Sequence, residues 1–280
     1  ATLEISAPEN APPTSVQQLH TEGAATWALA CARDLDDAIL HLRTNEREIG
    51  TWLLKTEGDA DLVAAHDDFL LKHVDHWAVR EIILYLKRTL RRLDATSRST
   101  FALIEPGSCF VGGLAELALS ADRCYMLEGT FEGSDLPPPK FRLTAMNVGP
   151  LTMDNHLTRL ATRFWGRDET REQAEALLGK DLSAVEALDA ELITFAYDEF
   201  DWDDELRISL EERASFSPDA LTGMEANLRF PGPETLETKI FGRLTAWQNW
   251  IFTRPNASGP EGALQRYGTG LRPKFGRRRT

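Results

Sequence analysis

Cysteine is scarce and poorly spaced for cross-linking. The three thiols, Cys31, Cys109 and Cys124, form no CxxC pair and no zinc-ligand pattern, and an odd count gives no tidy disulfide framework, so a reducing compartment is the expected setting. Basic charge is also short: 31 Lys and Arg stand against 44 Asp and Glu, a net charge of −13. Phosphate backbones require a basic face, so this balance excludes a general nucleic-acid surface, although a local cluster of cations can still hold a phosphorylated ligand. No apolar run approaches the ~20 residues needed to span a bilayer. The N-terminus lacks the basic-then-apolar layout of a signal peptide. A cytoplasmic protein without membrane or nucleic-acid partners is expected, and no tandem repeat is visible.

What is present is enough for a full core. With 280 residues and 42% hydrophobic content, the chain fits one large domain or two modest ones. Residues 1–23, with Pro8, Pro12 and Pro13, read as a linker-like segment continuing something upstream. Residues 24–32 read as a short strand, and Leu35, Ala38, Ile39 and Leu42 then recur at helical spacing. A strand is expected over 49–54, a turn with a helix start at EGDAD, and one long helix or two joined ones over 60–93. Residues 100–104, TFALI, predict a buried strand, 112–121 a small-residue helix, and 124–127 another strand. EGSDLPPPK is a loop because proline cannot donate to a ladder, and a strand is expected at FRLTAMNVG. Helices then dominate, so an α/β core over 24–200 and a helical region over 201–280 are expected.

The segment FALIEPGSCFVGGLAELALSADRCYML places a strand, a glycine-containing turn and a helix N-terminus in a row. Such an arrangement aims free backbone N–H groups at an oxygen and can stabilise an enolate or a tetrahedral oxyanion. Glu116, one turn into the helix, could then move a proton near that oxygen. On spacing alone, a solvated glutamate and glycines serving tight helix packing explain the same residues.

The order of these residues resembles the signature of the crotonase (enoyl-CoA hydratase/isomerase) superfamily: an apolar strand at 101–104, Gly112 and Gly113, Glu116-Leu117-Ala118, and Asp122. NVGPLTMDNHLTRLATRFWG, SAVEALDAELIT and PEGALQRYGTGLRPKF are similar to later family segments in the same order. Within the superfamily, AMNVGP, WDDELRISLEERASFSPDALTGMEANLRFPGPET and FGRLTAWQNWIFTRPNA resemble the C-terminal half of the benzoyl-CoA-dihydrodiol lyase family. That resemblance implies a crotonase-like core of repeated ββα units with a helical C-terminal region. It also implies ring opening of 2,3-epoxybenzoyl-CoA with formate release in aerobic benzoate degradation. No metal or redox cofactor is implied, coenzyme A being part of the substrate. The implied partners are the acyl-CoA, the N-terminal half of the same lyase and a second copy in a homodimer. By position, Glu116 inherits the acid/base role and Gly112 and Gly113 the oxyanion turn, while Lys55 and Thr56 in WLLKTEGD stand where the first oxyanion loop lies.

The departures point to a second reading. Where the family has a second glutamate, near Ala145 in LTAMNVG, no carboxylate stands, and Leu114 replaces a third glycine. Two carboxylates are needed to divide acid and base roles, so a non-catalytic structural half of the lyase is the alternative, with a generic enoyl-CoA hydratase/isomerase the third. Other chemistry-bearing residues read more simply. Cys109 has no sequence-adjacent base, and His73 and His76 have a surface or helix-capping role in preference to a metal site. Trp247, Trp250, Phe241 and Ile251 form an apolar stripe for core or interface, and Arg277, Arg278 and Arg279 form a mobile basic tail.

Overall fold

The computed structural model describes residues 1–279. Five strands, β1 (Thr2–Ser6), β2 (Thr51–Glu57), β3 (Ser99–Ile104), β4 (Arg123–Leu127) and β5 (Phe195–Tyr197), form one parallel sheet in sequence order. Helices α1 (Val16–Glu22) and α2 (Trp27–Thr44) cross from β1 to β2, and α3 (Ala60–Lys72) and α4 (Trp77–Asp94) cross from β2 to β3. Helix α5 (Gly112–Ser120) joins β3 to β4, and α6 (Arg159–Arg163), α7 (Asp168–Glu175) and α8 (Ala184–Asp189) precede β5. The mixed α/β class is as expected. Each unit contributes one strand to this sheet, and Val111 with Arg142 and Phe141 with Leu182 form only isolated bridges beside it.

Every residue of β3 is buried because both sheet faces are covered. Ala102 and Ile104 face the larger core with Trp52, Leu54, Cys124 and Met126, against α2 to α5. Phe101 and Leu103, one residue out of phase, join Tyr125, Leu127 and Trp202 on the other face. Trp202 belongs to α9 (Glu199–Ser215), whose N-cap Asp198 accepts from the N–H groups of Phe200 and Asp201.

The C-terminal helices are riveted to the sheet edge where the strands begin. Arg229, at the end of α10 (Pro218–Leu228), donates to both oxygens of Asp122 and to the carbonyls of Asp94, Thr96 and Arg98. Glu225 of the same helix accepts from Ser99 and Arg213. Residues 236–251 continue as a helical stretch with a π-helical segment at Ile240–Leu244.

Several expectations require correction. Residues 1–23 are not a linker: they supply β1 and α1, and Leu19 is buried. Residues 24–32 join α2, because Ala28, Ala32, Leu35, Ile39 and Leu42 form one uninterrupted helical face. The strand expected at FRLTAMNVG is a 3₁₀ turn over Ala145–Val148, drawn in by a box in which Thr144 accepts from the Met146 N–H and donates its own N–H to Asn147. Arg279 is no mobile tail residue: it is buried, donating to the Ser97 carbonyl at 2.7 Å and to the Ser99 hydroxyl at 3.2 Å. His76 does cap α4, its Nδ1 accepting from the Ala78 N–H at 3.3 Å.

Candidate functional site

The sheet delivers β3 into the turn at 105–111, and Gly112 opens α5 with φ +50°, a left-handed conformation in which a Cβ would collide with the Asp67 carboxylate. Helix N-termini leave unpaired N–H donors, which is why this turn is a natural oxyanion site. Here each donor is taken from within the chain. The Gly112 N–H donates to the Arg142 carbonyl at 3.1 Å, the Gly113 N–H to Asp67 Oδ2 at 2.6 Å, and the Leu114 N–H to the Val111 carbonyl at 3.0 Å.

Asp67 belongs to α3 and is only 3% exposed. Burial raises its carboxyl to about 7, opposed by the Gly113 N–H and assisted by the neighbouring charges of Asp68 and Glu116. The short bond gives the Gly113 N–H an acceptor from within the chain.

Glu116, one turn along, is fully buried. Its Oε1 accepts from Asn147 Nδ2 and its Oε2 from Arg159 Nη1, each at 2.7 Å. Arg159 also grips Asp94, with Nε to Oδ1 at 3.0 Å and Nη2 to Oδ2 at 2.6 Å. Burial opposes the Arg159 charge, but Asp94 and Glu116 outweigh it, and the guanidinium is held protonated more firmly than usual. Burial likewise pushes Glu116 up from its ordinary value, against the pull of Arg159 and of the Asn147 amide. Asn147 Nδ2 also donates to the Gly112 carbonyl at 2.9 Å, so the position near Ala145 that lacks a second carboxylate supplies an amide clamp.

The residues expected on β2 also have internal partners. Thr56 is buried and its hydroxyl accepts from the Cys109 N–H at 2.9 Å, fixing the turn before α5. Lys55 pairs with Glu105 at the end of β3, and Glu105 Oε1 accepts from the Trp202 indole at 3.1 Å. Lys55, Thr56, Gly112, Gly113 and Glu116 are therefore assembled around the strand ends of β2 and β3. Asp67, Asn147, Arg159 and Asp94 complete the cluster and were not singled out from the sequence. Asp67 carries a readable signal, an acidic residue four positions after Val63 on the buried face of α3. Burial pushes the Cys109 thiol up to about 11. Among the described residues, no group of His, Cys, Asp and Glu side chains is placed to hold a metal ion.

No family model matches the chain. A benzoyl-CoA-dihydrodiol lyase of Aromatoleum evansii is 48% identical over 274 residues, covering 98% of this chain and 48% of that protein, so the chain spans about half the length of this relative. An enoyl-CoA hydratase/isomerase from Marinobacter aquaeolei superposes with a TM-score of 0.63 at 16% identity, over 88% of this chain and 89% of the other. An enoyl-CoA hydratase from Geobacillus kaustophilus HTA426 gives 0.65, also at 16% identity, over 98% of this chain and 92% of the other. At such identity the structural likeness speaks to the fold. The chain has the crotonase-superfamily fold, and over nearly its whole length its sequence resembles a benzoyl-CoA-dihydrodiol lyase.

Proposed function

We propose that this chain is the C-terminal, scaffolding half of a cytoplasmic lyase of the benzoyl-CoA-dihydrodiol type, the ring opening of 2,3-epoxybenzoyl-CoA with release of formate being carried out on the other half. The observation that carries this reading is the Asp67 carboxylate on the Gly113 N–H. A thioester oxyanion needs donors about 2.7–3.1 Å from the oxygen that develops charge. This donor is already taken by the Asp67 side chain at 2.6 Å, so an external oxygen would have to displace it. Glu116 gives independent support, since both its oxygens are engaged and its nearest cation is shared with Asp94. On this reading Thr56 and Lys55 act as braces for the turn, and acyl-CoA is bound by the other half.

The test uses the full-length lyase carrying Glu116→Gln, assayed for formate release from 2,3-epoxybenzoyl-CoA. Retention of kcat within a few-fold is the expected outcome. Removal of a working general acid or base costs about 10²–10⁴ in rate. A loss of that size in a variant whose melting temperature is unchanged would place the chemistry on Glu116 and overturn the proposal.

A further inference from the structure

In a chain where acidic residues outnumber basic ones, one surface has the reverse balance. A concavity of about 440 Å³ between the C-terminal parts of α2 and α4 is lined by Arg43, Lys87, Arg88, Arg91 and Arg92, with Asp154 the sole carboxylate in its wall. It lies at the sheet edge where β2 and β3 begin, because α2 and α4 end just before those strands. The Gly112 turn follows the end of β3 and so lies at the opposite edge.

Two of the five cations are held rigidly. Arg91 donates through Nε to the Thr152 carbonyl at 3.0 Å and through Nη2 to the Met153 carbonyl at 2.8 Å, and its Nη1 lies 3.2 Å from Asp154. Arg92 Nη1 is 2.7 Å from Asp36 Oδ1. Arg88 lies over the Tyr85 ring at 4.5 Å, and neither it, Arg43 nor Lys87 has a carboxylate within ion-pair distance among the described residues. Lys87 titrates below its ordinary value, through burial and the neighbouring Arg91 charge, as a crowded and uncompensated ammonium should.

Helix dipoles account for some of this charge. Cations in the last turn of a helix are favourable, and Arg43, Arg91 and Arg92 occupy such turns. Lys87 and Arg88 sit seven and six residues before the end of α4, beyond the reach of that effect, on the side of the helix away from the buried Ile82, Ile83, Leu90 and Leu93. Lys87 with Arg91 and Arg88 with Arg92 are like-charge pairs four residues apart, which repel one another unless an anion is shared between them.

We infer that this cleft is a binding site for a multiply charged phosphate anion, separate from the glycine turn. A monoanion gains little from exposed cations in water, whereas several phosphate charges engage Arg43, Lys87 and Arg88 together, in the added field of Arg91 and Arg92. The same chemistry is offered by free pyrophosphate and by the phosphate end of a nucleotide carrier.

The test is titration calorimetry of the purified chain with pyrophosphate and with adenosine 3′,5′-bisphosphate, at a constant ionic strength of about 0.15 M. K87Q/R88Q is run in parallel, and melting temperatures are recorded for both proteins. Saturable binding is expected, weakened roughly tenfold or more in the double variant at unchanged melting temperature. Tighter binding of the bisphosphate would identify a nucleotide-borne source, and equal binding would identify the phosphate charge itself; both support the site. No saturation by about 1 mM of either ligand, or equal affinity in the double variant, overturns it.

Discussion

Replacing Asp67 with Asn removes a buried charge while leaving an oxygen able to accept from the Gly113 N–H. The native carboxyl titrates at about 7 rather than 3.8. Between those two values the native state holds a proton that the unfolded chain has lost, so wild-type stability falls as pH rises through this window and then levels off. The stability contribution is fully present below the unfolded value. The interval from 3.8 to about 7 corresponds to about 4 kcal/mol. D67N escapes that loss: it should match the wild type near pH 4 and exceed it by up to about 4 kcal/mol at pH 8. For a chain of this size that is a rise of about 8 °C in melting temperature. Differential scanning calorimetry across pH 5 to 8 reads the gap directly. A D67N protein less stable than wild type at pH 8, with a gap that does not change with pH, would show that the charged bond to the helix N-terminus outweighs desolvation, and the reasoning would fail.

Arg159→Met leaves Asp94 and Glu116 buried without their cation, and should cost about 3–5 kcal/mol in urea unfolding, whereas Glu116→Gln, which keeps an acceptor for Asn147, should cost less. Thr56→Val strands the Cys109 N–H in the core and should lower stability by about 1–3 kcal/mol, measured by the same unfolding curves. Burial holds the thiols of Cys109 and Cys124 at about 11 and about 12, so iodoacetamide at neutral pH should leave both unmodified in the native protein and label them after denaturation, as mass spectrometry would record.

The part of the fold around β3, α5 and β4 was legible because its signals are local. An unbroken apolar run, a glycine pair and a small-residue helix each have one comfortable conformation, and all three agree. Helix α3 was legible for the same reason, Asp59 capping the Asp61 and Leu62 N–H groups as the EGDAD turn suggested. Strand β1 was hidden because its evidence is a partner more than forty residues away: Thr2 to Ser6 alternate weakly and become a strand by pairing with β2. The interior of the candidate site was hidden for a sharper reason. Glu116 carries the same identity whether it faces a substrate or Arg159, and only the arrival of Asn147 and Arg159 from 31 and 43 residues downstream decides between them. Asp67 reaches Gly113 across 46 residues, and no local pattern encodes that contact.

The rivet formed by Arg229 also sets a timetable. Asp122 leaves the ribosome 107 residues before the guanidinium that neutralises it. At about 5–20 residues per second that is a delay of roughly 5–20 s. Throughout this interval Asp122 at the start of β4 has the Thr100 N–H and hydroxyl as partners but no cation, and water must complete its hydrogen bonding. The polar bonding of this edge is thus completed only with α10, and a nascent chain that ends before Arg229 leaves the carbonyls of Asp94, Thr96 and Arg98 to water.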